Sequence, residues 1–242
     1  MVPSVDAKID ELRAAHDVLA EWYVERLGSV LESMPVERTM LDLFCESTLA
    51  AGVGTDVADV GSGTGRLAPY LAGRGLSPRG VDLSPGMVRV ARRDYPDFSF
   101  EVADLRALPF ADASLAGVVC WYSLIFLAPP DRAVAFGELA RVVKPGGYLV
   151  AAFKDSDGQL RRGGRSVGLG VEFDTYWLSA QEMQDRVSDA AAAPRAPDRA
   201  RPTRRAWRRL CLCKTISWRS SQGFCGSETT SMRGLPRSSI DR

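Results

Sequence analysis

Asp59-Val60-Gly61-Ser62-Gly63-Thr64-Gly65-Arg66 is the stretch on which the reading of this 242-residue chain turns. It follows the apolar run DVADV (56–60) and leads into GRLAPYLAGRG (65–75), so a glycine loop joins a strand to a helix. Glycines in that place permit a tight turn and let a ligand approach the backbone, while the helix start offers free N–H groups. The spacing separates ligands. A dinucleotide fingerprint is G-x-G-x-x-G, but here the third glycine arrives one residue early and Arg66 stands in its place. No G-K-[ST] follows, so the loop is not a phosphate loop of the nucleotide-triphosphate type. A βα turn without any ligand would also use glycine, and the loop alone does not exclude that.

Outward from the loop, short apolar runs recur: SPRGVDLS (77–84), FSFEVADL (98–105), LAGVVCWYSLIFL (115–127) and GGYLVAAF (146–153). Helix-compatible segments separate them, PGMVRVARRDY (85–95) and PPDRAVAFGELARVVK (129–144) among them. Strands with little internal alternation, divided by helices, predict an α/β, Rossmann-like, doubly wound and mostly parallel sheet with helices on both faces. Lys144-Pro145-Gly146-Gly147 reads as a helix stop and chain reversal before the fifth strand. Upstream, residues 6–31 carry apolar positions at helical spacing with Asp6 as cap, and Pro35 opens a second helix that Gly52 closes. Downstream, the polar stretch 154–166 precedes a strand or hairpin in VGLGVEFDTYWL (167–178), and Ser179 caps a last helix over 179–190.

The strand ends carry acids. Asp82, in Val81-Asp82-Leu83-Ser84, lies 21 positions after Gly61, the distance at which a carboxylate accepts hydrogen bonds from ribose hydroxyls. Its alternative role is to cap the helix at Pro85, for which Ser84 is better placed. Asp104, before Leu105 at the end of the next strand, can accept from an adenine amino group or be an ordinary loop acid. Leu108-Pro109-Phe110 reads as a connecting loop whose apolar members pack against a ring.

In order and spacing these pieces resemble the class I S-adenosylmethionine-dependent methyltransferases, of the small-molecule, ubiquinone/menaquinone-biosynthesis-like type. The resemblance covers about Asp6 to Ala190. It implies S-adenosyl-L-methionine as cofactor and methyl transfer to a small-molecule oxygen or carbon acceptor. It also implies that Asp59, Gly61, Ser62, Gly63 and Gly65 underlie the methionine end, that Asp82 with Leu83 holds the ribose, and that Asp104 with Leu105 frames the adenine. N-terminal helices in that family cover the site, which brings His16, Trp22 and Tyr23 to it; core packing between helices explains Trp22 and Tyr23 equally well.

An activated sulfonium methyl asks mainly for alignment, with a base where the acceptor is a hydroxyl or carbon acid. The chain has a single His, His16, which reads first as an exposed or capping residue. His16 and Tyr23 are the weak catalytic candidates. Relatives of this type carry a His after the fifth strand, where this chain has Phe153-Lys154-Asp155, so the base stays unassigned. Cys120-Trp121-Tyr122-Ser123 differs from the Asn-Pro-Pro-Tyr of nucleobase N-methylation.

Charge divides the chain. Residues 1–189 hold 19 Lys+Arg and 27 Asp+Glu, whereas residues 190–242 hold 12 and 3. The organisation expected is a helical cap over 1–54, a methyltransferase core over 55–189 and a basic tail over 190–242, disordered or read out of frame. Three prolines, at 194, 197 and 202, make the tail's start a poor strand, though 204–216 can supply a short one. A net charge of +1 and five Cys without C-x-x-C pairs describe neither a dedicated nucleic-acid binder nor a disulfide framework. We expect a cytoplasmic protein with no metal and no membrane segment. A non-catalytic cofactor-binding remnant, an NAD-dependent oxidoreductase and a basic-tailed nucleic-acid binder are the alternatives.

Overall fold

The computed structural model describes residues 5–155, 160–192, 208–215 and 229–230. Helix α1 (Val5–Leu27) and α2 (Pro35–Ala50) precede the core, in which strands β1 (Asp56–Val60), β2 (Ser77–Asp82), β3 (Ser99–Val102), β4 (Leu115–Trp121) and β5 (Val143–Lys154) are all parallel. Helices α3 (Ala68–Ala72), α4 (Pro85–Asp94) and α5 (Arg132–Val142) make the crossovers. A hairpin of β6 (Leu160–Gly163) and β7 (Phe173–Tyr176) then leads into α6 (Ala180–Ala192). The sheet order β3-β2-β1-β4-β5 reverses direction between β1 and β4, so the carboxyl ends of those two strands open the crevice where doubly wound sheets bind ligands. The expected fold class is the one observed.

Both faces of the sheet are covered, and the period of two along each strand explains how. Val57, Val119 and Val150 face Phe44 and Leu41 of α2, while Val60, Val118 and Ala151 face Phe136 and Leu139 of α5 and Met183 of α6. Gly117 lies in the middle of β4 because the Phe44 ring packs directly on it; a Cβ there would come within 2.8 Å of the ring.

Several boundaries differ from the sequence reading. Helix α1 starts at Val5 and stops at Leu27, so Asp6 lies inside it rather than capping it, and a short 3-10 turn (Val30–Ser33) fills the gap before α2. Lys144-Pro145-Gly146-Gly147 does not end a helix. Val143 already pairs with Leu115, and the ladder resumes at Tyr148 with Gly117, so these residues form an irregular step within β5. The polar stretch after β5 supplies β6, whose arginines face solvent and acids across the hairpin. Ser84 caps α4 through Met87 N–H at 3.0 Å, and Ser179 caps α6 through Glu182 N–H at 3.0 Å.

Within the tail, β8 (Arg208–Thr215) pairs parallel with β5, and β9 (Thr229–Thr230) pairs antiparallel with β8. Strand β8 falls within 204–216, the stretch expected to supply a short strand, and β9 lies where the composition suggested disorder; residues 193–207, 216–228 and 231–242 lie outside the described residues. Among the described residues no helix is long and apolar enough to cross a membrane, and no cluster of potential metal ligands occurs.

Candidate functional site

The glycine loop is stapled at the carboxyl edge of the sheet. Gly61 and Ser62 both donate backbone N–H to Val81 O, at 2.8 and 2.9 Å, and Gly63 N–H donates to Asp82 Oδ2 at 2.8 Å. Gly61, Gly63 and Gly65 take φ of +76°, +55° and +81°, a region that side chains resist. Two of the three are also sterically fixed. A Cβ on Gly61 would sit 2.2 Å from Ser123 Cβ, and one on Gly65 would sit 2.6 Å from the Phe100 ring. Gly63 faces open space, with nothing within 4 Å of the place its Cβ would take. That open position leaves the backbone accessible at the centre of the loop.

Asp82 closes the loop from the neighbouring strand. Its Oδ2 accepts from Gly63 N–H and its Oδ1 from Ser84 N–H at 2.9 Å, so each oxygen keeps a lone pair for a ligand. Burial raises the carboxyl above the usual range, although the two backbone N–H groups favour its charge. Leu83 beside it is half-buried.

Asp59 and Arg66 flank the loop, and both are incomplete. Asp59 is 1% exposed, and neither carboxylate oxygen has a hydrogen-bond partner. Burial pushes its carboxyl up to about 7; the Arg66 charge pulls it down and Asp82 pushes it up. Arg66 Nη1 is likewise buried without a partner. Buried polar groups are nearly always paired, so the Asp59 carboxylate and Arg66 Nη1 are groups that could take a charged ligand. Ser62 Oγ, buried and unpartnered, belongs to the same group.

The other expected residues divide. Asp104 stands at the end of β3 as read, but Arg106 forks onto it, with Nη2 to Oδ2 at 2.7 Å and Nε to Oδ1 at 3.0 Å. Burial opposes that charge, and the Arg106 hydrogen bonds outweigh it to hold the carboxyl low. Leu105 packs in the core cluster that also holds Leu108 and Phe110.

Helix α1 crosses the site. Asp17 Oδ1 accepts from Ser84 Oγ at 2.5 Å and from Gly86 N–H at 2.6 Å, which fixes the helix over the end of β2. His16 is neither an exposed nor a capping residue. Its ring meets Phe126 edge-on at 4.8 Å and lies 5.0 Å from Phe173. The Tyr23 hydroxyl is raised to about 12 by burial and by Asp82, with Arg66 opposing, which places Tyr23 in the field of the loop; the Trp22 ring lies 5.7 Å from it.

Sequence reasoning gave Arg66 no part in the site, although its place directly after the third glycine was the signal. It missed Ser123, whose Oγ donates to Val60 O at 2.7 Å beneath the loop, and Asp17, for which no local signal exists.

Residues 57–147 match the methyltransferase domain family. The chain is 38% identical over 149 residues to demethylmenaquinone methyltransferase of Renibacterium salmoninarum, covering 62% of this chain and 61% of that protein. It is 35% identical over 149 residues to the O-methyltransferase cnsE of Penicillium expansum, covering 59% and 53%. The chain thus spans about half to three fifths of the length of these curated relatives. Its fold matches the DhpI–SAH complex at a TM-score of 0.61 with 18% identity, over 78% of this chain and 89% of that one. It also matches Burkholderia thailandensis 1,6-didemethyltoxoflavin-N1-methyltransferase at 0.56 with 17% identity, over 81% and 83%. The family match lies on the strands and glycine loop just described, so the part of the chain that holds the candidate site is the part similar to methyltransferase domains.

Proposed function

We propose that the chain binds S-adenosyl-L-methionine and transfers its methyl group to an oxygen or carbon of a small molecule, as a cytoplasmic enzyme whose core spans 55–189 beneath a cap of 1–54. The observation that carries this is the orphan pair: Asp59 and Arg66, buried beside an open Gly63. In this reading Asp59 takes the ammonium and Arg66 the carboxylate, while Asp82 receives the ribose hydroxyls on its remaining lone pairs. Leu83 and the backbone at Asp104–Leu105 border the adenine. When bound, the sulfonium supplies a methyl group already activated for displacement, so the chain's task is to orient the acceptor and keep water away. Well-oriented reaction is worth on the order of 7–11 kcal/mol. Helix α1, pinned by Asp17, is the wall that keeps water out.

The relatives named for menaquinone precursors and for oxygen methylation support a small, ring-bearing acceptor. Calorimetry on the full chain tests the reading. Saturable binding of S-adenosylmethionine without binding of NAD is expected, and Asp82→Asn should weaken it by about tenfold, since each charged hydrogen bond lost costs roughly 1.5 kcal/mol. An unchanged dissociation constant removes Asp82 from the site; absence of binding by the wild type removes the function.

A further inference from the structure

We propose that His16 is the general base of this site, and that it serves an acceptor whose reacting group is a phenolic or enolic hydroxyl on a planar ring. The inference rests on the methyl-transfer reading above and adds the proton acceptor that the fifth strand lacks.

The imidazole is oriented by its own helix. Nδ1 lies 2.9 Å from Leu12 O, and a carbonyl can only accept, so Nδ1 carries the hydrogen and Nε2 carries the lone pair. Nε2 is buried and has no hydrogen-bond partner in the chain. A fixed tautomer with a bare, buried nitrogen is the arrangement of a base awaiting a donor.

Its surroundings specify the donor. Phe126, following β4, and Phe173, opening β7, stand around the imidazole, with the Tyr23 ring 5.9 Å away. An apolar, ring-rich surrounding of this kind favours a flat aromatic or quinonoid ring over an aliphatic polyol. The charged groups facing His16 are Asp17 on α1 and Asp82 at the end of β2; both favour the imidazolium. Asp174, beside Phe173, is occupied by Lys8 and Arg162. Burial outweighs the two acids and keeps the ring neutral below its ordinary range, so Nε2 is ready near neutral pH. A base weakened by burial suits a hydroxyl acidified by conjugation better than a simple alcohol.

The step balances. His16 Nε2 takes the hydroxyl proton and becomes imidazolium while the acceptor oxygen forms its bond to the methyl carbon. The carbon–sulfur bond breaks, its electron pair stays on sulfur, and the imidazolium later returns the proton to water. Asp82 and Asp17 stabilise the transient cation, which gives the loop acid a second use.

Because the chain contains one His, a histidine-selective 15N label reports this ring alone. The test is a long-range 1H–15N spectrum of the full chain with S-adenosylhomocysteine bound, recorded with catechol as probe and cyclohexanol as control. A pyrrole-type Nδ1 and a pyridine-type Nε2 are expected, with catechol moving the Nε2 resonance and cyclohexanol leaving it in place. His16→Gln should bind S-adenosylmethionine normally yet transfer labelled methyl to catechol about a hundredfold more slowly, with the acidic limb of the pH–rate profile gone. An Nε2 resonance that catechol does not move overturns the proposal, and so does an unchanged profile in the variant. Failure of the wild type to bind S-adenosylhomocysteine instead overturns the methyltransferase reading, and the two failures are told apart in the first titration.

Discussion

At the glycine loop Asp59 is buried with no partner, whereas at the β6–β7 hairpin Asp174 is almost as buried and fully paired. Lys8 Nζ lies 2.9 Å from Asp174 and Arg162 Nη1 lies 2.6 Å from it, while Arg162 also reaches Glu11 of α1 at 2.7 Å. Burial opposes the Asp174 charge, but hydrogen bonds from Arg162 and Lys8 outweigh it and hold the carboxyl below its usual range. At Asp59 burial prevails. One acid is completed by the fold and straps α1 to the hairpin. The other is left for something the fold does not contain. On the proposed reading the paired acid serves the fold and the unpaired one awaits the ligand.

The largest effect expected from breaking this distinction is at Arg132, the most completely buried ion-pair partner among the described residues. Its side chain is 1% exposed, with Nη1 at 2.7 Å from both oxygens of Glu182 and Nη2 donating to Tyr176 O at 3.0 Å. It ties α5 to α6 and to the end of β7. Arg132→Ala should lower stability by about 3 kcal/mol, the scale for breaking one side of a buried pair, read as a fall in the urea midpoint. Affinity for S-adenosylmethionine should stay within about threefold of wild type once the protein is folded. A stability loss below about 1 kcal/mol would reduce this pair to the worth of a surface contact.

Asp59→Asn should act in the opposite direction. With a folded-state carboxyl near 7 against 3.8 in the free chain, Asp59 binds its proton more tightly when folded. Its favourable contribution is therefore complete below about pH 3.8 and is lost as pH rises to about 7. The amide removes that loss, so the variant should be more stable than wild type at about pH 8, by a margin that closes as pH falls to about 4. The same substitution should weaken S-adenosylmethionine binding by at least about tenfold, because a charged acceptor for the ammonium is gone. Destabilisation at pH 8 would mean that Asp59 holds the fold together instead.

These effects also show why parts of the molecule were readable beforehand. The loop, the acids at the ends of β2 and β3, and the caps at Ser84 and Ser179 are local patterns, each set by a few consecutive residues. Asp17 reaches Gly86 across 69 positions, and Lys8 reaches Asp174 across a longer span, so nothing near either residue announces the contact. His16 was misjudged for the same reason: the rings that bury it come from after β4 and from β7. Asp104 was legible as a strand-end acid, but its capture by Arg106, two residues on, turns on side-chain geometry that spacing does not encode. The irregular step in β5 follows the same rule, since Pro145 and Gly146 read as a stop and only the pairing with β4 carries the strand through them.

The smallest effect expected is at Asp174 itself, and it is the sharpest test of the contrast. Its side chain is 8% exposed, but both cationic partners are about a third exposed, so solvent screens much of the attraction. Asp174→Asn should cost about 1 kcal/mol at low salt, and the cost should shrink as ionic strength rises from about 0.05 M to about 0.5 M. The pH dependence has the opposite sign to that of Asp59. A carboxyl held low when folded contributes stability above its unfolded value near 3.8 and loses it as pH falls through the folded one. Asp174→Asn should therefore be less stable than wild type near neutral pH and converge with it in acid, whereas Asp59→Asn should be the more stable partner at about pH 8. If both aspartate variants were to shift stability in the same direction across pH 4 to 8, the difference between a strap and a ligand site would not lie in how each acid is partnered. Opposite shifts, with only Asp59→Asn weakening cofactor binding, would locate the ligand by stability measurements before any acceptor is known.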